Sequence, residues 1–421
     1  MEAVTPKKSE NLICQVLFAL CVGVTYLNIY ELTFAVWSIT FLFTVKRRYS
    51  FTVLGYISCF VAIFLIALIV SFFNQFKGYL FFRDVSYLLK PILGLLVGYQ
   101  LCRNTKIKPF HTIIYVGLGI AVIHLGMIFY NAVVHRIINI HELRHYTGYF
   151  SDFEFYALIV LFFNKEFEVE LSPKRKWTFF LIVAISGILY VSRTNFIQFI
   201  ILFLAMKGYF KLTKRAVIVM TTIIIVTLSG YAILYNMPLT RNGPGIEAFL
   251  YKIKNAPIEA FKSKVNQNDW QDFNDNYRSY ETIITIRQVS SEGTSGVLFG
   301  KGMGSTIDLG RQLWTNDGEF IRYLPTLHNG YTTVFLKTGL TGILFSIIFL
   351  VLLGRQGKSD IPLVQQINLF LKGSAVFLVL ANWVLLGLYL KIDNKALIIG
   401  FILAYKELIV KRSRLNPDGE S

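Results

Sequence analysis

The chain has 421 residues, 54% of them hydrophobic and 16% charged, with mean hydropathy +0.53 and a formal net charge of +17. Soluble domains carry about a quarter charged residues, so an ordinary soluble globular protein is excluded. Long uncharged blocks such as 52–73 and 216–235 also exclude a β-barrel, whose strands alternate over about ten residues.

In chain order, apolar runs predict helices over 11–28, 31–45, 51–73, 84–102, 110–134, 151–164, 177–192, 195–210, 216–235, 331–353, 364–388 and 396–410. The expected fold is all-α, a polytopic membrane helix bundle of about twelve transmembrane helices. Residues 1–235 form an N-terminal bundle of about nine helices, 236–330 one large outer loop, 331–410 three C-terminal helices, and 411–421 a cytoplasmic tail. The first apolar run follows Lys7 and Lys8 but is not trailed by a small-residue cleavage pattern, so it reads as an uncleaved helix. Cys14, Cys21, Cys59 and Cys102 all lie in or beside apolar runs and read as packing residues, with no metal-ligand spacing.

Basic residues alternate between loops. One side carries Lys46-Arg47-Arg48, Arg103/Lys106/Lys108, Lys174-Arg175-Lys176, Lys211/Lys214/Arg215, Arg355/Lys358 and Lys411-Arg412/Arg414. By the positive-inside rule that side and both termini are cytoplasmic. The excess charge is therefore a topology signal compatible with anionic lipid, and no nucleic-acid partner is expected. The 236–330 loop instead holds ten basic and ten acidic residues and is neutral. Within it, "IEAFLYKIKNAPIEAFKSKV" spaces apolar residues as an amphipathic helix, "NYRSYETIITIRQVSSEG" reads as a second helix ending near Gly293, and "GVLFGKGMGS" as a glycine-rich turn.

Several polar residues sit where chemistry at a membrane surface would need them. Arg193, in "YVSRTNFIQF", lies in a tight turn between apolar helices; it is either an interfacial snorkel or an anion clamp whose planar fork fits phosphate oxygens. Arg278 and Arg287 share one predicted helix, with Glu281 a turn from Arg278 and so its expected (i, i+3) ion partner. His328, at the border of the 331–353 helix, is either an interfacial side chain or a group that accepts a proton near neutral pH. Lys90 and Lys372 are intramembrane charges expected to face the bundle interior. Arg144, Asp152 and Glu154 cluster around the start of the 151–164 helix.

Three segments in order carry a resemblance: "SRT" (Ser192–Thr194) between two helices, "YRSYE" (Tyr277–Glu281) in the large loop, and "LHNGYTTVFLKTGLTG" opening the next helix, with "RHYTGYFSDFEFYALI" as a looser upstream element. Together they resemble the bacterial O-antigen ligase and O-antigen polymerase family. The resemblance implies a metal-independent glycosyltransferase with no cofactor, in the bacterial inner membrane. It would transfer a glycan from undecaprenyl diphosphate to a sugar hydroxyl on the periplasmic side. Its partners would be that lipid-linked oligosaccharide, membrane lipids and other assembly proteins such as a chain-length regulator. Residue by residue, it implies catalytic roles for Arg193, Arg278 and His328. Arg287, Arg144, Lys90, Asn329, Arg322 and Tyr331 stand around them as candidate substrate-binding residues.

Two arginines would neutralise the diphosphate that leaves, and an imidazole would take the acceptor's proton. Gly330 stands where ligases often carry an acidic residue, which favours polymerase over ligase. A transporter or flippase is a different class, expected to show helices broken at Gly or Pro near the membrane midplane; only Pro91 falls well inside a predicted helix. A receptor or scaffold without a reaction is the third alternative.

Overall fold

A computed structural model describes residues 8–45, 49–74, 78–103, 108–137, 143, 146–148, 151–211, 213–241, 243, 246–266, 268–314 and 320–415. Arg144, the basic triplet 46–48 and the polar tail 416–421 lie outside them. Among the described residues there are sixteen α-helices and one hairpin. The first nine helices are α1 (Lys8–Gly23), α2 (Tyr30–Thr44), α3 (Phe51–Ser71), α4 (Gly78–Arg103), α5 (Pro109–Val134), α6 (Asp152–Phe162), α7 (Pro173–Leu189), α8 (Arg193–Met206) and α9 (Lys214–Asn236). The polar segment folds as α10 (Glu247–Phe261), α11 (Trp270–Asp275), α12 (Tyr277–Ser290), α13 (Gly293–Phe299), β1 (Ile307–Trp314) and β2 (Phe320–Leu324). The chain closes with α14 (Gly330–Gly354), α15 (Pro362–Val384) and α16 (Lys395–Leu415).

Each of the twelve predicted helices has a counterpart in order. Five of those described, α3, α5, α9, α14 and α15, are long and apolar enough to cross a membrane. The others fall short for two reasons. At 1.5 Å rise per residue, α2, α6 and α8, with 15, 11 and 14 residues, are shorter than the roughly 20 residues a full span takes. Helix α16 is long enough but carries many charges, including Lys395, Lys406 and Glu407, and α4 carries Arg83, Asp84 and Lys90.

Those two charged helices form the spine of the bundle. Gly94 and Gly98, four apart on α4, face α16, where a Cβ on Gly98 would stand 2.1 Å from the Leu397 carbonyl oxygen. Gly400 of α16 answers with the same closeness to the Leu95 carbonyl. Small residues at this spacing let two backbones touch, which is how helices adhere where lipid offers no hydrophobic drive. Around this pair, α3 packs on α4 and α14, α15 on α8 and α14, and α6 on α5, α7 and α8. Helix α9 buries only Ala216 and leaves Ile224, Ile225, Val226 and Leu228 open, a surface suited to lipid on every side.

The all-α expectation omits the hairpin. Strands β1 and β2 are antiparallel, with Ile307 opposite Leu324 and Trp314 opposite Phe320 and an irregular register between. Ile307, Leu309 and Leu324 join Phe273, Tyr280, Ile284 and Val289 in a core that continues into Phe335 and Leu336 of α14. The polar segment is thus anchored on the first turns of α14. The two helices expected in it are present as α10 and α12, while the expected glycine turn is shared: 293–299 is helical as α13 and 300–304 is the turn.

Helix α14 is broken. Gly339 has φ +62° and ψ −157°, which divides the helix into 330–338 and 340–354. The 300–304 turn fills the break: the Lys301 amide donates to the Leu336 carbonyl at 2.8 Å and the Gly302 amide to that of Lys337 at 3.1 Å. Backbone polar groups exposed by a break at membrane depth need such partners. Gly339→Ala is expected to destabilise the chain by at least about 1–3 kcal/mol, because the left-handed φ disfavours any side chain and the new methyl would lie 2.4 Å from the Leu298 carbonyl carbon. Thermal melting in detergent measures this, and an unchanged midpoint would show that the break can close.

Candidate active site at the head of helix α14

Helix α14 begins at a turn that the polar segment delivers. Asn329 caps it, its Oδ1 accepting the Thr332 amide at 3.0 Å, and the Gly330 amide donates to the Leu385 carbonyl at 2.9 Å. This packing gives a steric reason for glycine at 330: a Cβ there would meet Asn382 Oδ1 at 3.0 Å and the Leu386 carbonyl carbon at 3.1 Å. Any side chain would require Asn382 or the Leu386 backbone to give by a few tenths of an ångström.

One residue before the cap, His328 meets Glu281 of α12. Its backbone amide donates to Glu281 Oε2 at 3.0 Å, and its Nδ1 lies 3.0 Å from both carboxylate oxygens. An ionised carboxylate only accepts, so Nδ1 donates and Nε2 is the nitrogen left to take a proton. Nε2 has no hydrogen-bond partner among the described residues. The two side chains differ in setting: Glu281 is 2% exposed and His328 53%. Tyr277 stands edge-on to the imidazole, ring centroids 5.6 Å apart. Burial and the Glu281 carboxylate hold the Tyr277 phenol well above its ordinary range, so it stays protonated.

The expected Arg278–Glu281 ion pair is therefore absent. Glu281 turns inward to the histidine, and Arg278 is half-buried with no ion partner among the described residues. Arg287 is exposed in the last turn of α12, where a cation suits the helix dipole. Arg193 opens α8, and its Nη1 donates to the Lys252 carbonyl of α10 at 2.7 Å. The turn before it contains Val191 at φ +47°, an uncommon setting for a β-branched residue and a local source of strain. Arg193 is thus tied to the polar segment from the α8 side, as His328 is from α14.

Other candidates are occupied by structural work. Lys90 is buried, donates to the carbonyls of Leu390 and Lys391, and lies over the Trp37 ring. Close by, Lys395 pairs with Asp152 at 2.5 Å and with Asp393 inside the bundle. Asp152 and Glu154, expected together, diverge: Glu154 Oε1 accepts from Ser186 Oγ at 2.6 Å, and that hydroxyl lies 2.8 Å from His124 Nδ1. Tyr331 donates to the Val379 carbonyl at 3.3 Å, and Lys372 Nζ lies 3.5 Å from that of Phe210. Arg322 grips Asp308 through Nε at 2.7 Å and Nη2 at 2.8 Å across the hairpin, which holds the Asp308 carboxyl below its ordinary range. The four cysteines form no disulfide among the described residues. A cavity of about 450 Å³ lies between α3 and α13, lined by Ile66, Phe73, Phe299 and Lys301 among others, and by none of the predicted residues.

Sequence reasoning passed over three residues here. Glu281 was visible but given the wrong partner, since its true one is 47 positions away. Lys337 and Asp84, both buried, form an ion pair of 2.5 Å between α14 and α4. A lysine seven residues into an apolar helix carried the same signal that singled out Lys90.

Neither protein-family models nor curated proteins give a match to this chain. What it does must be argued from its own geometry.

Proposed function

We propose that the chain is a membrane glycosyltransferase of about twelve spans. It moves a glycan from undecaprenyl diphosphate to a sugar hydroxyl at the periplasmic face of the bacterial inner membrane, as a surface-polysaccharide polymerase does. The observation that carries this is the Glu281–His328 pair: a buried carboxylate orients an exposed imidazole beside an arginine-bearing helix. A sugar hydroxyl is a poor nucleophile until its proton has somewhere to go. In the reaction, His328 Nε2 takes that proton while the acceptor oxygen bonds to the anomeric carbon. The bond from that carbon to phosphate breaks, and the diphosphate leaves with the electron pair. Arg278, half-buried without a counter-ion among the described residues, and Arg193 supply positive charge for the departing anion, which is electrostatic stabilisation of the transition state. The tight packing around Gly330, which disfavours a larger residue there, fits a polymerase better than a ligase.

Purified protein given a defined lipid-linked repeat unit is expected to build a ladder of longer glycans without any core acceptor and without a membrane gradient. A product formed only with core oligosaccharide would make it a ligase; no transfer with either acceptor would end the proposal. The break at Gly339 favours transport as the second reading, because transporters bind substrate at discontinuous helices. That reading requires glycan movement across vesicles with no lengthening.

A further inference from the structure

Arg83 lies five residues into α4 and was not among the candidates. Its Nη2 donates to Thr326 Oγ1 at 2.9 Å and lies 3.2 Å from Asp84 Oδ1; the guanidinium sits 5.6 Å from the Tyr87 ring centroid. The side chain is 19% exposed, so one part of it meets solvent. Its Nε is buried with no partner, and Nη1 donates to no described residue.

The neighbours account for this surplus of donors. Asp84 Oδ2 already accepts from Lys337 Nζ at 2.5 Å and from the Gly304 amide at 2.8 Å. Lys337 is saturated, since Nζ also donates to the Ser305 carbonyl at 2.6 Å and lies 3.3 Å from Ser305 Oγ. Within ion-pair distance the group holds two cations, Arg83 and Lys337, against one anion, Asp84. The unmatched positive charge falls on Arg83, the member that reaches solvent.

Position gives that charge a meaning. Thr326 is two residues before His328, and two residues span at most about 7 Å. Arg83 is hydrogen-bonded to the turn that presents the imidazole. We infer that Arg83 is an anion-binding residue of the same site, taking a phosphoryl oxygen of the lipid diphosphate through Nη1, the unused donor that is not buried. The inference rests on the glycosyl-transfer reading for its ligand. Asp84 and Lys337 act here as positioning residues: they hold the base of the arginine without neutralising its free edge. A guanidinium suits the task because its donors lie in one plane and can meet two oxygens together.

The test is binding by the full purified chain in detergent, with three probes: farnesyl diphosphate, inorganic diphosphate, and phosphatidic acid in mixed micelles. Arg83→Gln is expected to weaken farnesyl diphosphate binding about 10- to 100-fold, the range for losing a hydrogen bond to a charged group. Arg83→Lys keeps the charge but not the fork, should bind with an intermediate constant, and carries the test if the glutamine variant fails to fold in a ligand-free melt. Inorganic diphosphate should show the same dependence on Arg83, more weakly. Wild-type affinity in Arg83→Gln, or no binding by the wild type, overturns the inference. So does phosphatidic acid binding as tightly and with the same Arg83 dependence, which would mark a bulk-lipid headgroup site. If farnesyl diphosphate binds through Arg83 but no glycan is ever transferred, the enzymatic reading falls and the anion site stands. If Arg83→Gln loses transfer yet binds unchanged, the reverse holds.

Discussion

His328→Ala is expected to lower the rate of glycan transfer by about 10²–10⁴, the usual contribution of a positioned general base, while the protein folds and inserts as before. The separation of the two effects follows from exposure. The imidazole is more than half open to solvent, so truncating it removes little packing. Its partner is different. Glu281 is enclosed, receives both the amide and Nδ1 of His328, and pins the turn before α14. Glu281→Gln keeps the volume but removes the charge that stabilises a protonated ring. Its transfer rate should fall. A merely structural role for Glu281 would leave the transfer rate of the folded variant in place. Wild-type transfer by His328→Ala, confirmed as correctly inserted, would remove the imidazole from the chemistry.

The largest expected effect on stability belongs to Asp84. Its carboxylate is 3% exposed and faces Lys337, Arg83 and the Gly304 amide. Removing one partner of a buried pair leaves an uncompensated charge and costs about 3–5 kcal/mol. Asp84→Ala strands two cations and should reach that range. Lys337→Met should cost less, because Asp84 keeps Arg83 and the amide. The double replacement Asp84→Leu with Lys337→Met should recover much of the loss, since an apolar pair of similar volume avoids desolvating charge altogether. Chemical denaturation in detergent orders the three variants. Equal stability of Asp84→Ala and the wild type would mean that the pair is hydrated in the native protein.

The helices were readable because apolar runs end at charged or polar turns, and each of the twelve reappears. Their capacity to span was less readable: α6 and α8 continue as apolar runs after their first turns but stop after 11 and 14 residues. Helices α10 and α12 were visible in the 3.6-residue periodicity of the polar segment. The hairpin was not, because its strands are short and one has an irregular register. Within the site, His328 and Arg193 came from motif order and from their place at the ends of apolar runs, and Arg278 from motif order alone. The contacts of Glu281 and Arg83 could not come from any local pattern, being 47 and 243 positions from their partners. The glycines that join α4 to α16 repeat every four residues, a signal present in the sequence but not used.

The filled break in α14 has a mechanical consequence. Since Lys301 and Gly302 are bonded into the gap at Gly339, and Asp84 grips both Gly304 and Lys337, the elbow has no slack. Moving the polar segment away from α14 means unlatching these bonds and displacing residues 330–338 with it. Substrate entry and the aim of the imidazole would then be coupled through one lever.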